Sequence, residues 1–163
     1  MLDAAALIQK HRGKGVLVDT NLLVLLLVGA DNRRRIQNFK RTGDFTVQDF
    51  DLLTCLLDWF GKLIATPHVL SQVSDLTDLT GTELTRVRAV FKTLVEEIEE
   101  CCDTSRILVA NPLFARFGLT DSAIATVCSR GILVLTTDVR LQLALQERDI
   151  DALNFNDIRP LTW

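Results

Sequence analysis

The chain has 163 residues, 48% of them hydrophobic and 24% charged, and a formal net charge of −3 at pH 7. That length suits one domain over residues 1–163 with a core of its own, and the composition excludes a disordered polymer. The negative balance removes any argument for nucleic acid from bulk charge, and the greasiest stretch, Val16 to Val28, is too short and too broken by Asp19, Thr20 and Asn21 to span a membrane.

No Lys/Arg-led secretory leader is expected at the start of the chain. Lys10, His11, Arg12 and Lys14 precede the first apolar run; such a cluster faces either phosphates or plain solvent. Gly15 to Val18 reads as a short buried strand. Leu22 to Val28 is apolar throughout with no turn before it, which suits a buried helix, stopped at Gly29-Ala30-Asp31-Asn32. Arg33, Arg34, Arg35, Lys40 and Arg41 form a second basic cluster, and residues 36–45 carry no clear pattern.

Thr46 with Asp49 predicts a capped helix running to about Phe60, ended by Gly61. Leu63-Ile64-Ala65 is a brief strand. Thr66-Pro67 places a capping hydroxyl before a proline at the first helical position, and Val69, Leu70, Val73 and Leu76 then recur at helical spacing. Thr82 to about Cys102 reads as a long amphipathic helix with Leu84, Val87, Phe91, Leu94, Val95 and Ile98 on its apolar face. Thr120 is expected to cap a helix from Asp121 to about Ser129, terminated by Gly131. Ile132 to Leu135 is a strand, a helix follows Asp138 through Leu141 and Leu145, and Ala152 to Phe155 is a last strand. Helices alternating with short apolar strands imply an α/β fold, a mostly parallel sheet covered on both faces.

The four cysteines, Cys55, Cys101, Cys102 and Cys128, form no CxxC pair, and His11 and His68 add no zinc spacing. Reduced thiols and a cytoplasmic location are expected. No Gly-rich phosphate cradle or GxSxG elbow occurs. The chemistry therefore rests on carboxylates. Asp19 follows the first strand, Asp138 follows the strand ending at Leu135, and Asp121 stands at a helix start. In a parallel sheet, ligands gather beyond the carboxyl ends of the strands. Each aspartate alone is equally an ordinary helix cap, but three from distant segments at one rim point to a metal. Carboxylates without cysteine or histidine favour a hard ion, Mg²⁺ or Mn²⁺, able to activate water against phosphorus.

The ordered set resembles the PIN-domain family of ribonucleases. Val16-Leu17-Val18-Asp19-Thr20-Asn21 resembles its opening strand and first acidic motif, Thr66-Pro67-His68-Val69-Leu70-Ser71-Gln72-Val73 its second, Leu119-Thr120-Asp121-Ser122-Ala123-Ile124-Ala125 its third and Leu135-Thr136-Thr137-Asp138 its fourth. The resemblance implies a three-layer α/β/α sandwich and Mg²⁺- or Mn²⁺-dependent cleavage of single-stranded RNA. It assigns Asp19, Asp121 and Asp138 as catalytic metal ligands, with Thr20, Asn21 and Thr137 in support. Many relatives are toxins of bacterial toxin–antitoxin pairs, and many form dimers, so RNA, a second copy and an antitoxin or other protein are the partners it implies. One departure stands out: Gln72 replaces the glutamate usual in the second motif, which removes a negative charge. Asp75, three residues on, is positioned to share that helical face. Two functions follow, a competent nuclease with three aspartates or a PIN-like binding module without turnover. Arg33, Arg34, Arg35 and Arg140 are the candidates for phosphate contact, and Trp59 reads as packing rather than a base-stacking surface.

Overall fold

A computed structural model describes residues 3–159. Its centre is a five-stranded sheet in the order β3-β2-β1-β4-β5, built from β1 (Val16–Val18), β2 (Leu63–Ala65), β3 (Glu99–Glu100), β4 (Leu133–Thr136) and β5 (Ala152–Asn154). Every pairing is parallel. The chain moves outward from β1 to β2 and β3, then crosses back to β4 and β5 on the other side of β1. Right-handed crossovers in such an order cover the two faces with different helices, and the result is the expected three-layer α/β/α sandwich.

On the β1–β3 side lie α2 (Thr20–Asp31), α3 (Val47–Phe60), α4 (Pro67–Leu76) and α5 (Gly81–Glu97), with α2 packed against the other three. On the β4–β5 side lie α7 (Phe114–Cys128) and α8 (Val139–Gln146). Two short helices complete the chain: α1 (Ala4–Lys10) before the sheet, and α6 (Ser105–Val109) against α7. The core is one contiguous cluster in which β1 and β4 are wholly enclosed and α2 buries eight residues, among them Leu22, Leu23, Leu25 and Leu27. This burial on nearly all sides is why α2 reads as an unbroken apolar run rather than an amphipathic stripe.

Several boundaries follow from local chemistry. Thr46 and Asp49 form a full capping box, and Gly61 ends α3 at φ 76°, a left-handed conformation that glycine adopts without strain. Thr66 caps α4 by accepting from the Val69 amide, with Pro67 in the first turn.

Elsewhere the structure corrects the sequence reading. The long helix stops at Glu97, and Glu99–Glu100 form an edge strand whose pairing with β2 continues as the Cys101 amide donates to the Ala65 carbonyl at 2.9 Å. The acidic side chains that sit poorly at a helix C-terminus instead stand on an exposed sheet edge, where charge deters further pairing. The Thr120 cap is displaced: a short helical stretch from Phe114 breaks at Gly118, φ 82° and ψ −170°, and the helix that follows the break holds Thr120 and Asp121 in its first turn. Residues without a clear pattern after α2 hold a 3-10 helix, Arg33–Asn38. The strand β4 is displaced by one residue, taking in Thr136 and leaving out Ile132, and Phe155 opens a 3-10 turn after β5.

Close approach of α2 to α3 depends on Gly29. A Cβ built there meets Phe50 Cδ2 at 2.2 Å, so the ring must move. Gly29→Ala gains about 1 kcal/mol of helix propensity but over-packs the contact by about 1–3 kcal/mol, and net destabilisation is expected. Combining it with Phe50→Leu should recover part of the loss. Urea unfolding of the single and double variants checks this; a more stable single variant would show that the two helices part without cost.

All four cysteines are free thiols. Among the described residues no helix is long and apolar enough to cross a membrane.

Candidate functional site

The strand order reverses between β1 and β4, and a crevice opens beyond their carboxyl ends at such a switch point. Asp19 leaves β1 there, and Thr136, Thr137 and Asp138 leave β4. A cavity of about 160 Å³ occupies the crevice, lined by Asp19, Thr20, Asn21, Gln72, Asp121 and Asp138 with Leu76, Ile124 and Leu141 as its apolar wall. Chain segments far apart in sequence thus supply α2, α4, α7 and α8 to one small opening.

Asp19 is the most constrained of its carboxylates. It is 6% exposed, and it caps α2 by accepting from the Leu22 amide at 3.1 Å. Its other oxygen accepts from the Thr136 hydroxyl at 2.5 Å and the Thr137 amide at 2.9 Å. Register explains the pairing: Val18 stands beside Leu135 across the parallel ladder, so the next residue of each strand meets the other. Thr136 is fully buried and also accepts from the Asp138 amide at 2.9 Å. One hydroxyl thereby ties the first acidic segment to the last. Burial pushes the Asp19 carboxyl above its usual range, against the lowering effect of those three hydrogen bonds, with the charge of Asp138 adding to the rise.

Asp138 caps α8 through one oxygen, which accepts from the amides of Arg140 at 2.7 Å and Leu141 at 3.1 Å. Its second oxygen accepts no hydrogen bond among the described residues, and Asp138 lines the cavity. Asp121 receives no hydrogen bond to offset its burial, and its pKa is pushed up to about 6, first by desolvation and then by the charges of Asp138 and Asp19. The other two aspartates are therefore close enough to be felt, and among the described residues no lysine or arginine forms an ion pair with any of the three.

Gln72 has a definite role in the geometry. Its carbonyl oxygen accepts from the Thr20 hydroxyl at 2.9 Å, and its amide nitrogen donates to the Thr120 hydroxyl at 2.9 Å. It forms a neutral bridge from α2 through α4 to α7. The resemblance gives Thr120 no part at this site. Thr137 turns its hydroxyl towards the Asn21 amide at the edge of hydrogen-bonding range, 3.5 Å.

Asp75 is not part of this arrangement; it is exposed, and the helical neighbour of Gln72 that lines the cavity is Leu76. Three of the candidate phosphate-binding arginines also lie elsewhere. Arg33, Arg34 and Arg35 follow the far end of α2, which runs about 18 Å from the cavity. Arg33 pairs with Asp51 and Arg35 with Glu83. Arg140 alone stands beside the cavity, next to Asp138. The first basic cluster sits before β1, at the amino ends of the strands and so away from the cavity: Lys10 and His11 pair with Asp151, and Arg12 lies 4.3 Å over the Trp59 ring. Trp59 itself is 38% exposed and donates to the Ile8 carbonyl. Trp163 lies outside the described residues.

The donor set fits a hard divalent cation in its chemistry. It offers oxygen alone, and it holds like charges that lack a counter-charge. Among the described residues no group of three or more acidic, histidine or cysteine side chains is placed to hold a metal ion. A hydrated ion such as Mg²⁺, which keeps several waters, takes fewer direct carboxylate ligands than that.

The shifted Asp121 carboxyl makes a test. Between the ordinary aspartate value of 3.8 and about 6 the folded state holds more protons than the unfolded chain, so stability falls as pH rises through that window. Asp121→Asn should raise the melting temperature at pH 7.5 by about 2–4 °C, for roughly 1 kcal/mol after solvent screening, and the gain should vanish below pH 4. Thermal melts at the two pH values decide it. A destabilised variant at pH 7.5 would mean that the carboxylate has a stabilising partner.

No protein-family model matches the chain, and neither does any curated protein.

Proposed function

We propose that this chain is a metal-dependent ribonuclease of the PIN type, hydrolysing phosphodiester bonds with Asp19, Asp121 and Asp138 as its metal-holding residues. The observation that carries the reading is the convergence of these three carboxylates on one cavity at the switch point of a parallel sheet. Hydrogen-bonded capping accounts for Asp19 and Asp138 but not for Asp121, which stands in the first turn after the Gly118 break and accepts no hydrogen bond among the described residues. An uncompensated, half-buried carboxylate facing two others is costly unless a cation joins them.

Mg²⁺ or Mn²⁺ held there supplies a Lewis acid for a phosphoryl oxygen and a more acidic water for attack on phosphorus. The chain's own residues provide the rest. Thr136, the Thr137 amide and the Leu22 amide hold Asp19 in one rotamer. The amides of α8 hold one oxygen of Asp138 and leave the other without a hydrogen bond among the described residues. Such fixed second contacts keep acidic ligands in place without reorganisation when charge develops.

A second reading, a PIN-like binding module without turnover, has one observation in its favour. Gln72 adds no charge to the cavity and spends both polar atoms on threonines. Cleavage of a labelled single-stranded RNA pool with Mg²⁺, Mn²⁺ or EDTA separates the two. Metal-dependent products that vanish in EDTA are expected. RNA binding with no products in either metal would establish the binding module instead, and cleavage indifferent to EDTA would remove the metal from the proposal.

A further inference from the structure

Two of the three cavity aspartates are held by hydrogen bonds of their own, and the third is not. Asp19 accepts from the Leu22 amide, the Thr136 hydroxyl and the Thr137 amide, and Asp138 accepts from the amides of Arg140 and Leu141. Asp121 accepts none among the described residues. The turn that carries it follows the Gly118 break, so it does not continue the helical stretch before it. Contacts from neighbouring helices therefore decide where Asp121 stands relative to Asp19. Gln72 on α4 supplies one of them. Its amide nitrogen donates to the hydroxyl of Thr120, the residue before Asp121, and its carbonyl oxygen accepts from the hydroxyl of Thr20, the residue after Asp19, each at 2.9 Å. One side chain thus joins the chain neighbours of two carboxylates that line the same cavity.

We propose that Thr120 is a positioning residue: through Gln72 and Thr20 it fixes the separation of the Asp121 and Asp19 carboxylates, and so sets how tightly the pair holds a divalent cation. The inference rests on the metal-dependent reading of the cavity and deepens it. Both polar atoms of Gln72 are engaged by threonines, so the glutamine acts as a strut between ligands and is not itself a ligand. Carboxylates bind an ion well only when their oxygens already stand near the bound geometry, because any movement needed afterwards weakens the complex. Asp121 has no hydrogen bond to keep it there, and the strut fixes the turn beneath it instead. A hydroxyl present only to pack α4 against α7 would affect the stability of the fold and leave the affinity for the ion alone.

Calorimetric titration of the full chain with MnCl₂, with no RNA present, reads the affinity directly. Thr120→Val keeps the shape of the side chain and removes the hydroxyl. Gln72 is exposed, so water takes up its freed donor and the fold should survive. Mn²⁺ binding should weaken by roughly tenfold in Thr120→Val, while Thr120→Ser, which keeps the hydroxyl, should stay within about twofold of the wild type. Gln72→Met cuts the same strut from its middle and should weaken binding alike, which keeps the test open if Thr120→Val does not fold. Adding Thr120→Val to Gln72→Met should cost little more, because losses that run through one contact do not add. Wild-type affinity in Thr120→Val, with binding still lost in Asp19→Asn, would overturn the strut and leave the metal reading standing. Equal weakening in the Val and Ser variants, or additive losses in the double variant, would overturn it as well. A wild type that binds no Mn²⁺ would remove both proposals together.

Discussion

Asp19→Asn should reduce metal-dependent RNA cleavage by about 100-fold or more, an effect of about 2.7 kcal/mol on the transition state. The substitution keeps the size of the side chain and deletes its charge. It also changes the hydrogen bonds. Asp19 accepts from the Leu22 amide on one oxygen and from the Thr136 hydroxyl and Thr137 amide on the other. Asparagine has one acceptor oxygen, so either the cap of α2 or the link to β4 meets an NH₂ group instead. Thr136 can rotate to accept it, but the Leu22 and Thr137 amides cannot.

That leaves one buried donor unpaired, at a cost of about 1–3 kcal/mol, partly offset because a desolvated charge is gone. The variant should therefore fold, with a modest change in melting temperature, and fail in catalysis. Circular dichroism confirms the first part and the RNA assay the second. Retention of a tenth or more of the activity in a folded variant would show that Asp19 is a cap and no more.

The sheet's core and the positions of Asp19 and Asp138 were legible because each strand is an apolar run that stops at a polar residue. Val16-Leu17-Val18 ends at Asp19, and the run through Leu135 reaches Thr136 and then Asp138. The caps at Thr46 and Thr66 were legible for the same reason: their partners lie three residues away. What stayed hidden depends on contacts between distant segments. Thr136 reads only as the end of a strand until the pairing of Val18 with Leu135 sets it against Asp19. Thr120 reads as a helix cap, and only the approach of α4 to α7 makes it the partner of Gln72. The edge strand Glu99–Glu100 is too short to show alternation, and its acidic side chains continue the pattern of the helix before it. The basic run at Arg33 to Arg35 looks like a phosphate-binding patch in one dimension; the length of α2 carries it away from the cavity.

Gln72→Glu is expected to tighten Mg²⁺ or Mn²⁺ binding by about tenfold, or about 1.4 kcal/mol. The bridge made by Gln72 survives the change in principle. Both oxygens of a glutamate accept hydrogen bonds, and both threonine hydroxyls are able to donate, Thr120 by rotating its proton. The geometry at 2.9 Å to Thr20 and 2.9 Å to Thr120 then persists while one negative charge is added to a cavity that already holds Asp19, Asp121 and Asp138. In EDTA that charge repels the others, so the variant should melt at a lower temperature than the wild type at neutral pH. A divalent ion reverses the sign, because the ion binds the folded state alone and stabilises it by mass action.

Calorimetric titration gives the affinity, and melts with and without metal give the reversal. Equal affinity in the two proteins would place Gln72 outside the electrostatic reach of the ion. Cleavage assays on the same pair then distinguish the two readings of the natural protein. If both cut, the three aspartates suffice and Gln72 sets only the metal concentration at which the enzyme works. If only the glutamate variant cuts, the natural chain keeps the scaffold of a nuclease and uses it to bind.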